Sequence, residues 1–272
     1  MAAAAALGAE WTRAPSWVLA AGLGVLAAVA LAAAWLEPPD ARGRGVRTAA
    51  AVLAAVLATV AVASVWQLAR LREHWPPMRE DTVTRASSQL QRDLASASGA
   101  ARSLADRASA LVGLTGAPAF QRLQGLVRER EPSRGVALFD AQGRPTAWAG
   151  TLRIPLSPAG PELSTVTTPF YLWLVARRQA HGGTAVAAVL LARASYAPTA
   201  GVALTDRFAE RTGVGLHFYP PGGAPSDSDV FDYVLPRAAG GDTLFSVQPV
   251  PPEQDAALAD ALAGARRTVL WI

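Results

Sequence analysis

The 272-residue sequence predicts an α+β protein: a helical hairpin, a long helix, and then an antiparallel sheet with flanking helices. Three observations predict it. Two uncharged runs of membrane length stand near the N-terminus, a 4,3 heptad spacing follows them, and beyond residue 135 the pattern changes to short apolar runs divided by Gly-containing turns.

Trp17 to Leu36 (WVLAAGLGVLAAVALAAAWL) has no charge over 20 residues, and Thr48 to Ala69 runs for 22 with only Thr48, Thr59, Ser64 and Gln67 polar. About 20 such residues in a helix cross the ~30 Å hydrocarbon layer of a bilayer. Trp17, Trp35 and Trp66 stand at the ends, where indole rings favour the interface. Two membrane helices are therefore expected over 17–69, after a tail of residues 1–16; an Ala-rich hairpin buried in a soluble protein is the alternative. Ala30-Leu31-Ala32 has the small-x-small form of a signal-peptide cleavage site. The apolar run exceeds the roughly 7–15 residues of such peptides, however, and Glu10 offsets Arg13, so a retained span is expected. The connector EPPDARGRGVR is short, which makes the two helices antiparallel neighbours. Its three Arg favour the cytoplasmic side and so put the chain after about residue 70 outside, while Arg70 and Arg72 pull the other way.

After Pro76-Pro77, residues Val83, Ser87, Leu90, Leu94, Ala97, Ala101, Leu104, Ala108 and Leu111 repeat at spacings of 4 and 3. This is a heptad seam, and it predicts a juxtamembrane helix within 70–115. A helix over residues 78–112 is about 50 Å long. The seam fits two arrangements that are compatible: packing along its own domain, or pairing with a second copy in a homodimer. Gly113 and Gly116 break the helix, and Pro118 opens a shorter one in APAFQRLQGLVRERE, with Phe120, Leu123, Leu126 and Val127 on one face.

Gly135 to Asp140 then reads as a strand, Ala141 to Arg144 as a turn with Gly143 suited to a positive φ, and Pro145 to Gly150 as the returning strand. Phe170 to Gln179 and Thr184 to Arg193 form a second hairpin around His181-Gly182-Gly183. A short helix is expected over 203–212, with further strands at 215–219, 229–235 and 243–250 and a surface loop in PPGGAPSDSD.

A membrane helix leading into a long helix, a shorter helix and the strand–turn–strand GVALFDAQGRPTAWAG resembles the Cache/PAS-like sensor domains of bacterial membrane signal transducers, with Asp140 and Gly143 at the positions of the family's Asp and turn Gly. The resemblance spans roughly residues 75–250. It implies a PAS/Cache-like sensor domain over 116–260, lying outside the bacterial inner (cytoplasmic) membrane between two spans. Such a domain binds a small ligand or reads an envelope cue and passes its state to a histidine kinase, cyclase or chemotaxis module. Amino-acid-binding members carry a Tyr/Arg/Trp-rich stretch at the end of the second helix. The corresponding LQGLVRERE has no aromatic residue, so that ligand class does not carry over.

The C-terminal Arg266-Arg267-Thr-Val-Leu-Trp-Ile272 reads as the start of a third span over 266–272, or as an ordinary helix or strand end. Charge fits a membrane better than a polyanion. The net charge is +4 and the pI 10.3. Residues 73–265 carry a net charge of −1, and the remaining +5 lies beside the apolar segments. A protein that neutralises phosphates needs a basic face on its folded domain, so membrane lipid is an expected partner and nucleic acid is not.

Chemistry is sparse. There is no Cys, and His74, His181 and His217 are far apart without metal-ligand spacing. Asp227-Ser228-Asp229 lacks the remaining positions of a calcium loop and reads as turn chemistry. The Gly pairs at 182–183, 222–223 and 240–241 follow no phosphate-loop spacing, and no G-x-S-x-G occurs. No catalytic residue, metal site or cofactor is expected in this chain; a kinase or cyclase output would lie beyond it. Ligand-binding candidates come from the strongest strand, where alternation puts Tyr171, Trp173, Val175 and Arg177 on one face. A Tyr, Trp and Arg together suit a carboxylate or aromatic ligand, and Trp148 is grouped with them. The alternative is that both aromatics are core and Arg177 is a solvated strand end. Two functions follow: the sensor, or a non-signalling envelope scaffold or binding protein.

Overall fold

The computed structural model describes residues 10, 17–36, 44–127, 132–195, 197, 201–226, 229–234 and 243–271. The rest of the tail 1–16, most of the connector, the RERE run 128–131, Asp227-Ser228, Leu235, the Gly pair 240–241 and Ile272 lie outside the described residues. The helices are α1 (Trp17–Leu36), α2 (Arg44–Glu73), α3 (Trp75–Ser109), α4 (Ala117–Val127), α5 (Leu204–Thr212) and α6 (Gln254–Trp271). The strands are β1 (Arg134–Asp140), β2 (Pro145–Gly150), β3 (Leu163–Thr167), β4 (Tyr171–Ala180), β5 (Gly183–Arg193), β6 (Gly215–Tyr219), β7 (Phe231–Val234) and β8 (Thr243–Val250). All pairings among them are antiparallel. The chain divides into two compact units, residues 1–80 with 252–272, and residues 81–251.

In the first unit the interior is small and the exterior large. Ala20, Leu23 and Ala27 of α1 bury against Ala54, Ala58, Ala61 and Val65 of α2 and Ala265 of α6. Val18, Val25 and Val29 of α1 and Val52, Val62 and Trp66 of α2 point outward and are exposed. Alanine contacts let helix axes approach closely. Two hydroxyls of α2 are satisfied within the helix: Thr59 Oγ1 donates to Ala55 O at 2.8 Å and Ser64 Oγ to Val60 O at 2.7 Å. Among the described residues, Ala51–Glu73 is long and apolar enough to cross a membrane, and Trp17–Val29 is apolar but shorter.

Gln254, the first residue of α6, donates from Nε2 to Leu71 O at 2.9 Å, satisfying an orphan carbonyl at the end of α2. Farther along α6, Ala265 packs and Val269 leans against the cluster formed by α1 and α2. Helix α6 therefore runs antiparallel to α2. Residues 266–271 continue the helix that the Ala- and Leu-rich QDAALADALAGARR propagates from Gln254.

Helices α2 and α3 part at His74, where Pro76 and Pro77 supply no N–H and crowd the carbonyls a turn earlier. Single hydrogen bonds still bridge the break, from His74 N to Arg70 O at 2.9 Å and from Met78 N to His74 O at 3.2 Å.

In the second unit a five-stranded sheet has the order β2-β1-β5-β4-β3, and a three-stranded sheet the order β6-β8-β7. The central strands β1, β4 and β5 are apolar on both faces because both faces are covered. One face, with Leu138, Leu174, Ala187 and Val189, packs with Leu90, Leu94 and Leu104 of α3, Leu123 of α4, and Phe208 of α5. The other, with Phe139, Tyr171, Trp173, Val175 and Val186, lies against Leu152, Ile154 and Leu156 of the β2–β3 connection. Strand β3, LSTVT, is an additional edge strand, too short and hydroxyl-rich to show a strand period.

The heptad seam is therefore engaged by its own domain. From Leu90 to Ala108 the seam positions are buried in the first core. Ion pairs from α3 complete the attachment, Asp106 to Arg178 at 2.9 Å and Asp93 to Arg211.

The β1–β2 turn matches its sequence. Gly143 has φ +75°, and Asp140 Oδ1 accepts from Arg144 N and Gln142 N, each at 2.9 Å. The Arg144 N–H bond, reinforced by the Arg144 side chain and the Gln142 N–H, holds the Asp140 carboxyl below the usual carboxylate range. A carboxylate whose folded-state pKa is lowered contributes stability that is present above its unfolded pKa and is lost as pH falls through the folded value. The melting temperature of Asp140→Asn is thus expected to fall below that of the parent at neutral pH. The gap should close as pH drops through the Asp140 titration, and melting curves across the acid range check this.

Candidate functional site

The four sequence candidates do not form one site. Tyr171 and Trp173 are neighbours on β4, with ring centroids 6.5 Å apart in an edge arrangement. Trp173 is fully buried in the second core, and its indole N–H finds no acceptor among the described residues. Arg177 shares their face but is committed to the chain before β3. Its Nε donates to Ser157 O at 2.9 Å, and its Nη1 donates to Pro161 O at 3.1 Å and Ser164 Oγ at 2.6 Å. Partial burial lowers its pKa from the ordinary guanidinium value. Arg177 is thus a clamp on the β2–β3 connection, neither a solvated strand end nor an open fork for a ligand.

Trp148 lies apart from the other three. It sits on edge strand β2, is 54% exposed, and packs edge-on to Phe120 of α4 at 5.1 Å. Strands β1 and β5 separate it from β4, a spacing of roughly 14 Å. The strand order, which sequence alternation does not reveal, removes it from the group.

Tyr171 lines a concave site among the described residues. This is a cleft of about 540 Å³ between the ends of β3, β4 and β5 and the second sheet. Its apolar walls include Leu172, Leu216, Phe218 and Phe245, which also pack with the first core. Strand β8 meets β3 here, where Thr165 Oγ1 donates to Leu244 O at 3.4 Å.

Arg193, at the end of β5, is the cation of the cleft. Its Nε donates to Asp206 Oδ2 at 2.8 Å, and the same oxygen accepts from Ala203 N at 3.1 Å at the head of α5. Asp206 therefore caps a helix and orients the guanidinium at once. His217 and Tyr219 share a face of β6 with ring centroids 4.5 Å apart, and Tyr219 Oη donates to Gln248 Oε1 at 2.9 Å.

Sequence reasoning passed over Arg193, His217, Tyr219 and the threonines of β3. The signal available was the alternation in GLHFY, which puts His217 and Tyr219 on one face, and a charge ending an eleven-residue apolar strand. Neither indicates that the second sheet folds back onto β3. Among the described residues no group of three or more acidic or His side chains could hold a metal ion. Compared with protein-family models and with curated proteins, the chain finds no match.

Proposed function

We propose that the chain is the membrane-anchored input region of a bacterial signal transducer with a Cache/PAS-like sensor domain. In this reading α1 and α2 form a transmembrane hairpin in the inner membrane. Residues after about 70 lie outside, and a small ligand in the cleft alters the long helix α3, which passes the change to an output such as a histidine kinase. The supporting observation is that the cleft walls and the α3 seam belong to one buried cluster. Leu216, Phe218 and Phe245 pack in the same core as Leu90, Leu94 and Leu104. Tyr233, stacked on Phe245 at 5.2 Å, also donates to Ser98 Oγ of α3 at 3.2 Å. Well-packed interiors transmit displacement, so occupancy of the cleft has a physical route to α3.

Support for the membrane anchor comes from the first unit, whose small residues lie inside and whose Val and Trp side chains lie outside. Lipid as the surrounding medium accommodates that arrangement, whereas water penalises it. Pairing with a second copy along residues 78–112 belongs to this reading and would use the exposed face of α3.

The test is a pair of reporters fused near residue 200, alkaline phosphatase for the outside and a fluorescent protein for the cytoplasm. Phosphatase activity is the expected result. Fluorescence without phosphatase activity would overturn the extracytoplasmic domain. A reading frame that continues past residue 272 into a kinase, cyclase or chemotaxis-like region is expected, whereas a stop codon there would favour the envelope scaffold instead.

A further inference from the structure

The lining of the cleft narrows the chemistry of its occupant. We propose that it binds a small organic monoanion built from one flat apolar ring and one carboxylate. This deepens the sensor reading, and rests on it only in treating the cleft as the input site.

Three features carry the inference. First, the described residues that line the cleft include Arg193 and His217 but no Asp or Glu. A concave site with that balance favours an anion and penalises a cation. Second, Arg193 is held from one side only. Asp206 takes its Nε, and no hydrogen bond from Nη1 or Nη2 is made to the described residues. A guanidinium fixed in this way keeps the planar edge that matches a carboxylate. One cation, already partly offset by Asp206, suits a single negative charge better than two. Third, the walls are aromatic. Tyr171, Phe218, Tyr219 and Phe245 are among the lining residues, and rings of this kind pack well against a flat partner in offset or edge geometry. A volume of about 540 Å³ accommodates one small ring compound.

Calorimetric titration of the full chain in lipid nanodiscs, with empty discs as the blank, tests the proposal. Phenylacetate, phenylacetamide and acetate are the probes. Phenylacetate should bind saturably, and the neutral amide and the ringless acid should each bind at least about tenfold more weakly. Arg193→Gln should weaken phenylacetate about tenfold and leave phenylacetamide unchanged. Because Asp206 loses a partner in that variant, Thr167→Trp provides a second test. Thr167 is an exposed residue of β3 on the cleft wall, and an indole there should fill the space and abolish binding while the melting transition is kept.

Equal binding of phenylacetate and its amide, undiminished binding by Thr167→Trp, or no saturable phenylacetate binding would each overturn the inference. The two readings fail separately. A chain that binds phenylacetate but carries its domain in the cytoplasm loses the sensor topology alone. One with the expected topology and no phenylacetate binding loses this inference alone.

Discussion

Trp173→Ala is expected to destabilise the chain by about 3–5 kcal/mol, the range for removing a large aromatic from a closed core. Trp173→Phe should stay within about 1.5 kcal/mol of the parent. The difference arises from two properties of the residue. Its ring is wholly inaccessible, between the β4 face and the β2–β3 connection, so truncation to Ala opens a cavity that β-sheet backbone cannot collapse to fill. Its N–H, by contrast, has no acceptor among the described residues, and a buried unpaired donor costs about 1–3 kcal/mol that Phe does not incur. Phe therefore trades lost contact area against relief of that cost. Chemical denaturation followed by near-ultraviolet circular dichroism compares the three proteins. If Phe proves as damaging as Ala, the indole N–H has a partner that matters and Trp173 is more than core.

Gly150→Ala should have an effect of similar size, about 2–5 kcal/mol. Gly150 ends β2 with φ +82°, and a Cβ there would collide with the carbonyl oxygen of Arg134 and lie 3.0 Å from Gly135 Cα. Two separate costs combine: a backbone conformation that L-residues rarely adopt, and a clash with backbone that cannot rotate away. Separating β2 from β1 would also loosen the Phe120–Trp148 contact between strand and α4. Gly99→Ala provides the contrast. Gly99 lies inside α3, exposed and with no heavy atom within 4 Å of a built Cβ, so alanine should stabilise the protein by roughly 0.5–1 kcal/mol. Opposite signs at the two positions in the same denaturation experiment would confirm both environments. A neutral Gly150→Ala would mean that β2 is not held against β1 as described.

Much of the fold was legible because it depends on local periodicity. The two apolar runs, the 4,3 spacing, the Asp140–Gly143 turn and the alternation in FYLWLVARRQ each predict an element within a few residues of where it lies. Strand β3 was not legible, since LSTVT owes its pairing to β4 beside it. Arg266-Arg267 looks like a membrane boundary in one dimension, and α6 passes through it as one continuous helix from Gln254.

The candidate site shows the same division. Alternation correctly put Tyr171, Trp173 and Arg177 on one face of β4, yet it did not distinguish a cleft wall, a core side chain and a loop clamp. That depended on what surrounds each position: the β2–β3 connection lies over Trp173 and Arg177, while Tyr171 stands at the strand end beside the cleft.

Residue order along the chain determines where helices and strands form, where charge accumulates, and which side chains share a strand face, because those properties act over a few neighbouring residues. Tertiary structure alone decides that the heptad seam is buried in its own domain, that Trp148 stands apart, and that Arg193, His217 and Tyr219 meet Tyr171 around one cleft. Those outcomes depend on strand order and on contacts between residues far apart in the chain, where the energy lies in packing and no short-range pattern records it.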